Sequence, residues 1–125
     1  MEAVDESLSR AVALFNDGRY AEFQTALEGL ASGTRAASER RFYTLLDKLA
    51  EGLLRLSDGS ALEAERLVAD ALRTLDPFRP RFRGLNVDAF REDLQRLVTE
   101  IRDGREGRRQ EIAPSRLPRL RALPE

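Results

Sequence analysis

The stretch from Ser38 to Ser57, SERRFYTLLDKLAEGLLRLS, limits what this chain can fold into more than any other. Phe42, Leu45, Leu46, Leu49, Leu53 and Leu56 recur at the three- and four-residue steps that stack side chains on one face of an α-helix. Tyr43, Ala50 and Leu54 widen that face until only Thr44, Asp47, Lys48, Glu51 and Arg55 are left for water. A helix with so narrow a polar strip has to be covered from several sides, so it is expected at the centre of a bundle. Gly52 inside it costs roughly 1 kcal/mol against Ala, and close approach by a neighbouring helix is the expected compensation.

The flanking segments supply the cover. A first helix is expected over about Asp5–Asn16, with Val4, Leu8, Ala11, Val12 and Phe15 as its stripe. Asn16-Asp17-Gly18 stops it, because glycine accepts the left-handed C-terminal position. Tyr20, Phe23, Leu27 and Leu30 mark a second helix, closed by Ser32-Gly33, and Ser57-Asp58-Gly59 ends the central third one. Ala61, Ala64, Leu67, Val68, Ala71, Leu72 and Leu75 give a fourth helix over about Ser60–Leu75. Pro77–Gly84, PFRPRFRG, lacks helical periodicity and is expected as an extended crossing loop with Phe78 and Phe82 turned inward. A fifth helix starts from the N-cap Asn86, carries Val87, Phe90, Leu94, Leu97, Val98 and Ile101, and stops at Asp103-Gly104. The reading is an all-α single domain: a bundle of five helices around the third over residues 1–104, and a C-terminal Arg/Pro-rich arm over 105–125. The turns at Gly18 and Gly59 are a weak internal repeat, too few for a solenoid.

Composition removes several chemistries. The 125 residues include no cysteine and no histidine, so disulfides, thiolate chemistry, the usual zinc ligands and the commonest general base are excluded. There is no phosphate-cradling Gly-rich loop, no nucleophile elbow and no Ser or Thr beside a base, so no catalytic residue, metal ligand or cofactor is assigned. The first twenty residues alternate charged and apolar positions, so no signal peptide is expected; no run reaches a membrane span, and a cytoplasmic protein is the default.

The carboxylates Glu22, Glu28, Glu63 and Glu65 would make a metal-dependent enzyme only if several converged. Net charge is −1 overall, yet residues 1–103 hold 15 basic and 19 acidic side chains and the rest hold six Arg and three Glu. Arg79, Arg81 and Arg83, with Arg105, Arg108 and Arg109, form a candidate basic patch for phosphate contacts. With an acidic body and no basic recognition helix behind it, nucleic-acid binding is the weaker reading.

Three runs, ALFNDGRYAEFQTALEGLA (residues 13–31), RFYTLLDKLAEGLLRLSDG (41–59) and ALRTLDPFRPRFRGLNVDAF (71–90), resemble domain-of-unknown-function family 309 over about residues 5–103. The resemblance implies a compact all-helical domain with no firmly assigned activity. It also implies a polar site on the second helix, to which Tyr20, Glu22 and Glu28 conform. Gln24 and Thr25 stand where that family has His and Glu, Ala31 stands near its Trp, and Thr44 and Arg55 replace its Gln and His. The candidate family-site positions are therefore Tyr20, Glu22, Gln24, Glu28, Thr44 and Arg55, in a degenerate member without its imidazoles. The helix-turn-helix around Gly18 is also similar to tetratricopeptide units, which implies peptide binding in a groove.

The expected function is a non-enzymatic cytoplasmic interaction or scaffold role with an unknown protein or peptide partner, and no membrane contact. Ile112, Leu117, Leu120 and Leu123 are too regularly apolar for a solubilising arm. The arm is expected to pack on its own body or on a second copy as a homodimer.

Overall fold

The computed structural model describes residues 5–105 and 116–123. Asp5 opens α1 (Glu6–Asn16), its Oδ1 accepting the Leu8 N–H at 2.8 Å. After α1 the chain turns at Gly18 (φ 78°): the Gly18 N–H donates to the Phe15 carbonyl and the Arg19 N–H to that of Leu14. This pair of bonds is the Schellman closure, which needs a left-handed residue. It leads into α2 (Tyr20–Ser32). The same closure at Gly59 (φ 88°), with Ser60 N–H to Arg55 and Gly59 N–H to Leu56, joins α3 (Ala37–Ser57) to α4 (Ala61–Thr74). Both expected stops hold.

Helices α2 and α4 flank α3, α1 packs on α2, and α5 (Val87–Arg105) packs on α4. At the far side Phe15 of α1 and Phe90 of α5 meet edge to face, 5.8 Å between centroids. Phe42, Leu46, Leu49, Ala50 and Leu53 of α3 are buried within the core. The all-α bundle read from periodicity is the observed fold. A Cβ on Gly52 would lie 3.0 Å from Leu67 Cβ and 3.3 Å from Val68 Cγ2, so the glycine does mark the close approach of α3 and α4. Among the described residues no helix is long and apolar enough to cross a membrane.

Two expectations are corrected. The segment after α4 is not one extended loop: Asp76–Phe78 is a 3₁₀ turn, and β1 (Arg81–Phe82) and β2 (Leu85–Asn86) form an antiparallel hairpin. Its two-residue loop, Arg83-Gly84, has both residues at positive φ (51° and 80°), as a hairpin turn of matching twist requires. Phe78 and Phe82 do turn inward, and with Phe42 they form a triad with centroids 4.8–5.1 Å apart. Second, α5 passes through Asp103-Gly104 to Arg105, because Gly104 stays helical and takes no left-handed stop. At its other end the expected cap is present, Asn86 Oδ1 accepting the Ala89 N–H at 3.0 Å.

The described part of the arm is built onto the body. Leu85 bridges Ala122 in antiparallel fashion, the Asn86 N–H donates to the Arg121 carbonyl, and the Leu123 N–H donates to that of Gly84, both at 2.8 Å. Leu120 is buried in the core cluster. Val4 and Ile112 lie outside the described residues.

Gly52→Val is expected to lower the melting temperature by the equivalent of about 1–3 kcal/mol, the usual cost of overpacking. Gly29→Val is the control, since a Cβ there meets nothing within 4 Å. Circular-dichroism melts showing equal effects at both positions would mean that α3 and α4 are not in tight contact.

Candidate functional site

The candidate family-site positions do not gather at one place. On the face shared by α2 and α3, the Gln24 side-chain amide donates to the Asp47 carbonyl at 3.3 Å and to Glu51 Oε1 at 3.2 Å. Glu51 also pairs with Arg55 at 2.5 Å, and Arg55 reaches Asp58 at 4.0 Å. Gln24 and Arg55 thus meet through Glu51. The two donors together, Gln24 first, hold the Glu51 carboxyl below its ordinary range. Asp47, beside them, is pushed up by burial and then by the charges of Glu28 and Glu51. The arrangement is a polar strap between helices and offers no open cation cradle.

The other positions point elsewhere. Tyr20 is buried, 5.3 Å from Phe15 between ring centroids, and burial raises its hydroxyl pKa. Glu22 accepts both Nε and Nη2 of Arg19 at 2.8 Å on the surface. Thr44 donates back to the Arg40 carbonyl at 2.9 Å and, two turns before Glu51 on the polar strip of α3, lines a groove toward α4.

That groove, about 680 Å³, lies between the first half of α3 and the end of α4. Its floor is apolar, made by Leu45, Ala71, Pro77 and Phe78. Its rim carries Arg40, Arg41, Lys48 and Arg73 against a single acid, Asp70, which is paired with Arg73. Among the described residues Arg41 and Lys48 have no carboxylate partner. In the sequence Leu45 and Phe78 stand out only as core residues, and Arg40 and Arg41 do not stand out. The signal was there: basic residues one helical turn before and beside an apolar run.

The candidate basic patch is dispersed. Arg79 pairs with Asp88 at 2.6 Å, while Arg83 turns the other way to Asp5 (3.4 Å) and Glu39 (3.2 Å). Arg81 is exposed on β1. Arg108 and Arg109 lie outside the described residues, as does the side chain of Arg105. Among the described residues no three metal-ligating side chains gather; Glu63 pairs with Arg66 and Glu65 with Arg102.

Three residues that sequence reasoning passed over, Asn16, Asp93 and Glu100, hold the arm. In the sequence Asn16 stands out only as part of a helix stop, and the two acids do not stand out at all. Their seven-residue spacing places them on one face of α5, and both are buried.

Fold and site together define an all-helical domain with an apolar groove rimmed by cations. No protein-family model matches the chain, and neither does any curated protein or solved structure.

Asp47→Asn is expected to raise the melting temperature at neutral pH. Its folded-state pKa lies above the unfolded value, so the ionised form opposes folding above that pKa, and the opposition is gone below the ordinary value of about 3.9. The advantage of the variant should therefore shrink as the pH falls through this range. Melts showing a benefit independent of pH would contradict this account of Asp47.

Proposed function

We propose that the chain is a non-enzymatic interaction domain, and that the groove between α3 and α4 receives an acidic amphipathic segment of a partner protein. The observation that carries this reading is the pairing of an apolar floor with a rim whose cations outnumber its one acid. Apolar anchors in such a groove supply affinity, while complementary charge selects and steers the partner. A partner helix with leucines on one face and glutamates beside them matches both features.

The alternatives draw less support. A carboxylate-metal enzyme would need oxygens converging on one point, whereas Glu22, Glu63 and Glu65 are each engaged by an arginine. Nucleic-acid binding through Arg79, Arg81 and Arg83 would need a common face, and Arg79 and Arg83 are drawn apart by different carboxylates. Kinship with domain-of-unknown-function family 309 belongs to the proposal; the all-helical fold supports it, with the Gln24–Glu51–Arg55 strap standing where that family's imidazole site would be. A cytoplasmic location belongs to it as well. A homodimer through the arm enters it only as an exchange, since residues 116–123 sit on their own chain.

The test is fluorescence anisotropy with a labelled synthetic helix of leucine and glutamate, beside a leucine-lysine helix and a single-stranded oligonucleotide. Saturable binding of the first alone is expected, weakened about tenfold or more, about 1.4 kcal/mol, by Arg41→Glu combined with Lys48→Glu at unchanged melting temperature. Equal binding of the lysine helix, or indifference to the double substitution, would overturn the proposal. Binding of the oligonucleotide in place of the acidic helix would transfer the groove to nucleic acid.

A further inference from the structure

The seat of residues 116–123 is chemically selective to a degree that covering a core does not require. Asn16, at the end of α1, uses both ends of its amide on one backbone position: its Nδ2 donates to the Leu120 carbonyl and its Oδ1 accepts the Leu120 N–H, each at 2.9 Å. Such a clamp reads an extended main chain regardless of side chain. The outer edge of β2 adds the two strand-type bonds already described, so the segment is held as an added strand.

Side-chain selection comes from α5. Asp93 Oδ2 accepts the Arg119 N–H at 3.1 Å and Arg121 Nη1 at 3.0 Å, and its Oδ1 accepts Arg96 at 2.7 Å. Glu100 Oε1 accepts Nε of Arg116. The carboxylates are buried (side chains 7% and 6% exposed) while Arg116 and Arg121 are each 46% exposed, so the acids belong to the site and the arginines to the ligand. Leu120 fills the apolar position between them.

We propose that Asn16, Asp93, Glu100 and the β2 edge form a peptide-binding site for segments of the pattern Arg-x-x-x-Leu-Arg, occupied in cis by the chain's own residues 116–121. Among the described residues Glu100 Oε2 is buried without a hydrogen-bond partner. The resident segment therefore leaves one strong acceptor unsatisfied, a cost an intrinsic part of the core would be expected to avoid. An arginine presenting its guanidinium fork to both Glu100 oxygens would satisfy it, so the arm is a ligand that a better one displaces. This site is separate from the α3–α4 groove and does not depend on it.

The test uses the full chain and a labelled peptide, acetyl-RLPRLRAL-amide, which reproduces residues 116–123. Leu120→Asp disables the chain's own arm. Anisotropy is expected to show saturable binding to this variant and binding at least tenfold weaker to the wild type, whose site is filled. Adding Asp93→Asn, or reversing the peptide's first and last arginines to glutamate, is expected to abolish it. A folded Leu120→Asp protein that fails to bind, or one that does not fold at all, would overturn the proposal, since a displaceable segment cannot be required for the fold. Hydrogen exchange on the wild type gives an independent reading: the Leu120 and Leu123 amides should exchange at least tenfold faster than those of Leu94 and Leu97. Exchange of all four only through global unfolding, or a wild-type dimer in light scattering, would equally refute a site filled in cis.

Discussion

The contact of α3 with α4 at Gly52 is the constraint on which the rest of this structure depends. An α3 whose circumference is mostly apolar has to lie between two neighbours, and the missing side chain at Gly52 lets Leu67 and Val68 come within touching distance. Placing α4 so close fixes where its chain emerges, and the 3₁₀ turn at Asp76–Phe78 then carries Phe78 back against Phe42. The same helix pair makes the groove, since Leu45 of α3 and Ala71 of α4 line it together with Phe78. Core packing and candidate binding surface are two consequences of one contact.

Charge is arranged around that framework in an orderly way. Arginines tie elements that are far apart in sequence: Arg83 links the hairpin to the beginnings of α1 and α3, Arg102 links α5 to α4, and Arg121 links the arm to α5. Of these, the Arg83–Asp5 pair has an exposed acid and contributes little by itself, typically 0–1 kcal/mol, whereas Glu39, Glu65 and Asp93 are largely shielded from water. The effect of such pairs is to use up most of the positive charge on internal carboxylates. Among the described residues Arg41 and Lys48 are two cations without a carboxylate that stand together beside the apolar groove, whereas on the hairpin Arg79 and Arg83 are paired and Arg81 is not.

Periodicity made the helices legible, because each has one strong apolar stripe and two are closed by glycines that only a left-handed turn explains. The hairpin was hidden because Arg-Gly is not the Asn-Gly or Asp-Gly pair that signals such a turn, and its strands are two residues long, too short for alternation to register. The candidate site was legible only in part. Gln24 and Arg55 do meet, through Glu51, but Thr44 sits two turns earlier on the same polar strip, at the groove, and Tyr20 is in the core, as spacing along single helices cannot tell which neighbour each stretch will meet. The seat of the arm was the least visible, since the Asn16 clamp joins residues 104 positions apart.

Native-state hydrogen exchange across the chain tests the central role of α3 most directly. The amides of Leu46, Leu49, Ala50 and Leu53 are predicted to exchange only through global unfolding and to be as slow as any in the protein, because α3 is covered by α2 on one side and α4 on the other. Faster exchange at these four amides than in the middle of α1 or α5 would contradict the account, by showing that the outer helices outlast the one they are supposed to enclose.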